Sequence, residues 1–230
     1  MQSNKICLNC IMDTSDKSIK FDQNGICEYC NNFYNHIVPI WQTNKTGERK
    51  LLKISDKIKL KGKRKDFDCI IGLSGGLDSS YLTYIATKFL GLRPLLFHVD
   101  GGWNTDKAVG NIEKLVDSLD LDLYTEVINW EEMKDLQTSL LKSQIPHQDM
   151  AQDTAFFSAL YKFARQNKIK YVLTGGNYST ECCREPEEWG AYPGIDKRLL
   201  LNIHTKFGNR NLDSFPIIDV FIINSFFITG

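Results

Sequence analysis

Six residues in one short stretch have the groups needed to hold a polyphosphate: Ser74, Gly75, Gly76, Asp78, Ser79 and Ser80, within "DCIIGLSGGLDSSYL" at 68–82. An apolar run breaks into a glycine-serine loop and resumes with helical character. Glycines let a backbone approach an anion closely, and both are expected at positive φ. The N–H groups that open a helix favour negative charge, and three serine hydroxyls add donors. A Walker loop would end in lysine aimed at the β- and γ-phosphates, and no lysine follows here. A loop that instead takes the two terminal phosphates as a unit, with Asp78 placed to help hold Mg2+, suits pyrophosphate as a leaving group. The bond broken is then the one between the α- and β-phosphates, and AMP is transferred.

A second constellation precedes it. Cys7, Cys10, Cys27 and Cys30 form C-x2-C-x16-C-x2-C, a spacing that lets two short turns close a sulfur tetrahedron around Zn2+. Four protein ligands leave no open coordination position, so the zinc is expected to be structural. The intervening segment has too few apolar residues for a core of its own, so metal binding would supply much of its folding free energy. Of the remaining cysteines, Cys69 falls in a buried run and is expected in the core, while Cys182 and Cys183 are expected as loop thiols. Asp149 and Asp153 flank a helix start, where capping the helix dipole is the default role and a magnesium or ammonia role the alternative. His147 and His204 could do acid–base work, but a lone histidine is more often structural, and that is the expectation for each.

Composition bounds the rest. The 230-residue chain has 28 basic and 28 acidic residues and a pI near 6.9, so no global field draws it to nucleic acid or membrane. The basic run "KIKLKGKRK" (57–65) is expected to be a solvated linker. No charged-then-apolar leader opens the sequence, and no apolar run reaches the roughly 20 residues of a membrane span. A cytoplasmic protein is expected, and seven cysteines there point to metal or catalysis rather than disulfides.

From Phe67 onward, short apolar runs alternate with helical periodicity. Strands are expected at "FDCIIGL", "RPLLFHV", "LYTEVI" and "KYVLTGG". Helices are expected over about 79–91, with Leu82, Ile85, Ala86 and Phe89 on one face and Gly91 as the stop, over 106–119, and over about 152–167. A capping box is expected at Asn129 and Glu132. This alternation calls for a mostly parallel sheet with helices on both faces. Ligands of such sheets bind at the carboxyl ends of the strands, where strand order reverses. Polar glycine-bearing segments at 74–80, 98–104 and 174–181 therefore ring one expected nucleotide site. The expected domains are a cysteine module (1–35), a helical and basic linker (36–65), a nucleotide domain (66–216) and an apolar tail (217–230).

"SGGLDSS" resembles the S-G-G-x-D-S signature of the PP-loop ATP pyrophosphatases. The segments "GLRPLLFHVDGGWN", "IPHQDMAQDTAFFSALYKFA", "YVLTGGNYSTECCREPEEWG" and "IHTKFG", with the N-terminal cysteine pairs, are similar to the N-acetyl-sugar amidotransferases of bacterial surface-polysaccharide (lipopolysaccharide O-antigen) biosynthesis. The likeness runs from the cysteines to about Pro216. It implies an α/β fold: a parallel-sheet, adenine-nucleotide α-hydrolase-like PP-loop domain behind a small four-cysteine, zinc-ribbon-like module. It also implies conversion of an acetamido group on a UDP-linked sugar to acetamidino. ATP adenylates the amide oxygen, and ammonia from a separate glutaminase paired with a cyclase-like barrel subunit displaces AMP. Carried over, Ser74, Gly75, Gly76, Asp78, Ser79 and Ser80 bind the pyrophosphate part of ATP, with Asp78 and Ser79 at the reacting phosphates and Asp78 on Mg2+. His98, Val99 and Asp100 hold adenosine, and Thr174, Gly175, Gly176 and Asn177 form the facing wall. Ser179, Glu181 and Arg184 extend toward the sugar. ATP, Mg2+ and a structural Zn2+ are the implied cofactors, with neither membrane nor nucleic acid as partner. If ammonia arrives unprotonated, the chemistry barely needs a protein base. Two alternatives stand: a tRNA-thiolating PP-loop enzyme, and a C-terminally truncated fragment that binds zinc and ATP without turnover, since the likeness fades after "SFP" (214–216).

Overall fold

The computed structural model of the chain describes residues 4–176 and 196–218. The chain divides into two compact units, the first ending at Lys53 and the second beginning at Ile54.

In the first unit, an isolated antiparallel bridge at Ile6–Asp13 closes a turn around Cys7 and Cys10, and a second at Phe21–Cys27 leads Cys27 into the helix that carries Cys30. Helix α1 (Glu28–Asn32) runs into a π-helical turn over Phe33–Ile37, just before Pro39 as the sequence suggests. Its buried centre is Cys7, Cys27 and Cys30, with Met12, Ile19, Phe21, Ile26 and Tyr29 packed around them. So few apolar groups make a core only if something at the middle joins them.

Helix α2 spans Lys45–Gly62. Within the second unit it buries Ser55, Ile58 and Gly62, while Lys57, Lys61, Lys63, Arg64 and Lys65 are exposed. The basic run is solvated, yet Ile58 belongs to the sheet's core.

Strands β1 (Cys69–Gly72), β2 (Pro94–Asp100), β3 (Leu123–Val127) and β4 (Val172–Leu173) form one parallel sheet in the order β3-β2-β1-β4. The chain builds outward from β1 to β3, then returns to lay β4 on the other side of β1. Strand order therefore reverses between β1 and β4, as expected of a doubly wound sheet. Alternation along β1 and β2 sorts side chains to two faces. Cys69, Ile71, Leu73 and Leu96 pack with Ala86, Leu90 and Ile112 on one face. Ile70, Leu95 and Phe97 pack with Ala159, Leu160 and Ala164 on the other. Cys69 is fully buried, and burial pushes its thiol up to about 12, as suits a core residue. Edge strand β3 exposes most of its side chains.

The helices are α3 (Leu77–Tyr84), α4 (Asp106–Leu119), α5 (Trp130–Ser143), α6 (Met150–Gln166) and α7 (Lys197–Phe207). Two local expectations change. After α3 the chain makes a π-helical turn over Ile85–Phe89, which adds a residue to the turn and rotates the positions after it. Leu90, not Phe89, then reaches the core, and Phe89 is 50% exposed. Gly91, at φ +60°, ends the segment as expected.

At α5, Asn129 caps as expected, its side chain accepting from Glu131 N and Glu132 N. Glu132 does not close the box. Its buried carboxylate accepts from Ser214 N at 3.1 Å and Ser214 Oγ at 3.0 Å. A long-range partner thus replaces the local one. Ser214 begins a strap whose Ile218 N–H donates to Ser158 Oγ at 3.0 Å. Phe215 is buried in the α5–α6–α7 core with Ile217 packed beside it, and Ile218 is buried as well. Among the described residues, no helix is long and apolar enough to cross a membrane.

Candidate active site

The loop between β1 and α3 is built by its first glycine. Gly75 has φ +74°, and a Cβ there would lie 2.4 Å from the Ala108 carbonyl oxygen on α4. Only glycine allows both the backbone angle and the approach. Asn111 Nδ2, also on α4, donates to Gly75 O at 3.1 Å and fixes the turn from outside. Gly76 departs from expectation: it is the N-cap of α3 with φ −81° and ψ 169°, ordinary extended backbone. Its lack of a side chain leaves the helix mouth open rather than relieving strain.

The serine hydroxyls turn inward. Ser79 Oγ lies 3.2 Å from Ser74 Oγ, and Ser80 Oγ donates to Gly76 O at 2.7 Å. These bonds brace the loop internally and leave Ser74, Gly76, Leu77 and Asp78 exposed. No side chain caps α3, so the N–H groups of Leu77, Asp78 and Ser79 keep their free direction at the positive end of the helix dipole. Asp78 is exposed in this first turn, where its hard oxygens fit a role on Mg2+ shared with phosphate oxygens.

The facing wall comes from β4. A Cβ on Gly175 would sit 3.0 Å from Ser79 N and from the Asp78 carbonyl carbon. The backbone after β4 thus lies against the opening turn of α3, at the reversal of strand order. Of the residues beside it, Thr174 and Gly176 are both exposed. Asn177, Ser179, Glu181, Cys182, Cys183 and Arg184 lie outside the described residues.

A cleft of about 260 Å³ opens at the carboxyl ends of β1 and β2, lined by Leu73, Ser74, His98, Val99, Gly101 and Asn104 on one side. Met133, Gln152, Asp153, Ala155 and Phe156 line the other side. Phe156 fits because β1 ends in glycine: a Cβ on Gly72 would come within 2.5 Å of its ring. His98 is buried, with Nδ1 2.8 Å from Leu73 O and Nε2 3.0 Å from Asn104 Nδ2. A carbonyl only accepts, so Nδ1 carries the proton and Nε2 accepts from the Asn104 amide. His98 thus ties the end of β1 to the loop after β2. Asp100 supports that loop, its Oδ1 accepting from Gly102 N at 2.9 Å.

Asp153 enters the cleft from the first turn of α6, its Oδ2 3.2 Å from His147 Nε2. Burial raises its carboxyl above the ordinary value, partly offset by His147 and reinforced by Asp149. Asp149 is the N-cap of α6 but makes no side-chain capping bond. His204, in contrast, is structural: its Nε2 meets Asp135 Oδ2 at 3.0 Å, and Asp135 also accepts from Asn209 N and Arg210 N. Sequence reasoning missed Asn104, Asn111 and Gln152. Asn104 lay within a loop already singled out. The other two sit on helices among ordinary polar positions, where nothing distinguishes them.

The four cysteine sulfurs of the first unit all lie within 4.8 Å of one another. Cys7 and Cys30 are 3.9 Å apart and Cys10 and Cys27 3.7 Å, close to the edge of about 3.8 Å that a tetrahedron with 2.3 Å zinc–sulfur bonds requires. Backbone N–H groups of Asn9 and Cys27 point at Cys7 Sγ, and Asn9 Nδ2 donates to Cys30 Sγ at 3.2 Å. Burial raises the Cys7 thiol, but N–H donors from Cys27, Asn9 and Cys10 outweigh it and bring it down to about 6. Burial dominates at Cys30 and pushes it up to about 12. The donor set fits a closed zinc site.

Among solved structures, chains similar to this one include an NMN synthetase from Francisella tularensis, 25% identical with a TM-score of 0.41, covering 52% of this chain and 49% of that one. An NH3-dependent NAD synthetase from Campylobacter jejuni is 18% identical with a TM-score of 0.41 and 57% of each chain covered. A glutamine-dependent NAD+ synthetase from Acinetobacter baumannii is 19% identical with a TM-score of 0.42, covering 72% of this chain and 33% of that one. The chain therefore spans between a third and somewhat over half the length of these proteins. No curated protein matches it. The asparagine synthase family model matches residues 56–176, from within α2 through the loop after β4. That stretch holds the whole parallel sheet and its lysine-free phosphate loop, and by it the chain belongs to the asparagine synthase family, within the PP-loop ATP pyrophosphatase superfamily.

Proposed function

We propose that this protein is an ATP-dependent amidotransferase that converts an acetamido group of a nucleotide-linked sugar to an acetamidino group. The observation that carries the reading is the loop at 74–80: internally hydrogen-bonded, lysine-free, and offering backbone N–H groups at the point where strand order reverses. Such a cradle stabilises two phosphates as they leave together, and the rest of the nucleotide lies along the cleft toward Val99 and Asn104. Catalysis is then mainly positioning plus stabilisation of charge on the departing pyrophosphate. The acetamido oxygen attacks the α-phosphorus, pyrophosphate leaves, ammonia adds to the activated carbon, and AMP departs with the C–O electron pair.

Asp78 supplies the Mg2+ position at the leaving phosphates, and the four cysteines hold a structural zinc. Membership of a family named for asparagine synthesis supports the second half-reaction, in which nitrogen is placed on an activated carbonyl carbon. Ammonia comes from a glutaminase subunit paired with a barrel subunit. The test is product analysis with ATP, Mg2+, ammonium chloride and UDP-linked diacetamido-sugar acids. A sugar product one mass unit lighter, with amide oxygen replaced by NH, is expected. Thiolation of tRNA in place of any sugar product would overturn the reading.

A further inference from the structure

Ammonia that arrives unprotonated needs no base to activate it, but contrary to the expectation from sequence its adduct still has a proton to lose. Ammonia that arrives neutral becomes an ammonium group once its lone pair bonds to the imidate carbon. Until that group loses a proton, the tetrahedral centre expels ammonia more readily than AMP, and the step reverses. The described cleft lining offers few acceptors. Its imidazole, His98, has both nitrogens engaged, at 2.8 and 3.0 Å. Asp153 is the carboxylate in that lining, shared with Ser74 of the phosphate loop. Its side chain is 41% exposed, and His147 Nε2 donates to its Oδ2 from behind at 3.2 Å. Asp149 stands beside it at the start of α6, and His98 lines the cleft's other side.

We propose that Asp153, backed by His147, is the proton acceptor for the ammonia nucleophile; this rests on the amidotransferase reading. The nitrogen lone pair forms the C–N bond while the C=N π pair moves to the imidate nitrogen. One N–H proton passes to an Asp153 carboxylate oxygen. A nitrogen lone pair then forms C=N and the C–O bond breaks, its pair leaving with AMP. Asp153 returns its proton to solvent. His147 is a positioning residue that turns the carboxylate into the cleft.

The test is Asp153→Asn in the full chain, with a UDP-linked diacetamido uronic acid as acceptor. Sugar-dependent exchange of labelled pyrophosphate into ATP reports adenylation alone, while amidine formation reports the second half-reaction. Exchange should stay within about 3-fold of wild type, and amidine formation with ammonium chloride should fall by about 100-fold or more, the range of a lost proton acceptor. Hydroxylamine, a far weaker base whose adduct sheds its proton to water, should restore most of the rate. His147→Gln should lower the ammonia-dependent kcat with little change in KM for ammonium. Equal losses with both nucleophiles, or loss of exchange itself, would overturn the assignment to the nucleophile's proton. Absence of sugar-dependent exchange in the wild type would instead overturn the amidotransferase reading, and the proposal with it.

Discussion

Replacing Gly75 by alanine tests whether the phosphate loop is held in shape by α4. Two costs are separable. At φ +74° an alanine pays the left-handed penalty of about 1–2 kcal/mol. Its Cβ would also stand 2.4 Å from the Ala108 carbonyl oxygen, about 1 Å inside ordinary contact. Backbone, not a flexible side chain, must move to relieve it, which adds about 1–3 kcal/mol on the scale of overpacked cores. The sum, about 2–5 kcal/mol, should lower the Tm by roughly 5–15 °C. Gly110 on the same helix is the control, because a Cβ there meets nothing within 4 Å. Gly110→Ala should be neutral or stabilise by about 0.5–1 kcal/mol through helix propensity. Thermal denaturation of the three proteins, paired with calorimetric titration of pyrophosphate, decides the matter. A Gly75→Ala protein that melts with wild type and binds pyrophosphate as well would refute the reasoning about loop and helix.

Three further outcomes are expected from the same geometry. If the four cysteines hold zinc, atomic absorption should find one zinc per wild-type chain and none in Cys27→Ser, whose amides at residues 4–37 should exchange fast because so small a core depends on the metal. Asp135, 10% exposed, has its carboxyl held below the ordinary value: burial raises it, but the Asn209 and Arg210 N–H groups and His204 outweigh burial. A depressed carboxylate stabilises above its unfolded pKa and loses that contribution as pH falls through the lower folded value. Asp135→Asn should therefore cost about 1–3 kcal/mol at pH 7, shrinking below about pH 4, by urea titration. Asp153 has the opposite sign. Burial raises its carboxyl despite His147, so its contribution is present at low pH and lost as pH rises through the folded value. Asp153→Asn should then melt at or above the wild-type temperature at pH 7, and a clear drop in Tm would contradict this.

Much of the fold was legible because period-2 and period-3.6 patterns report burial directly. The span 106–119 matches α4 residue for residue, since Thr105 caps it and Asp120 ends it at φ 52°. The strands could be read from their apolar runs, whereas the wall facing the phosphate loop was implied by the family resemblance; in the structure Gly175 lies against α3. The illegible parts depended on events that pattern does not encode. A π-helical turn shifted Phe89 out and Leu90 in. Glu132 chose Ser214, 82 residues away, over its own helix start. At the site, composition identified the donors but not their direction. The hydroxyls of Ser79 and Ser80 bond within the loop, and His98 joins two segments through both ring nitrogens. Asp153 reads as a helix cap in sequence because its neighbours in space, His147 and the cleft, become evident only once α6 is docked.

On the function proposed, the lysine-free loop at the β1–β4 reversal releases the two terminal phosphates of ATP as one unit. Phosphorus NMR of the purified chain with ATP, Mg2+, ammonium chloride and a UDP-linked diacetamido uronic acid tests it most directly. AMP and pyrophosphate appearing in equal amounts, dependent on the sugar, is the predicted result. ADP and inorganic phosphate would place the cleavage between the β- and γ-phosphates and rule out AMP transfer.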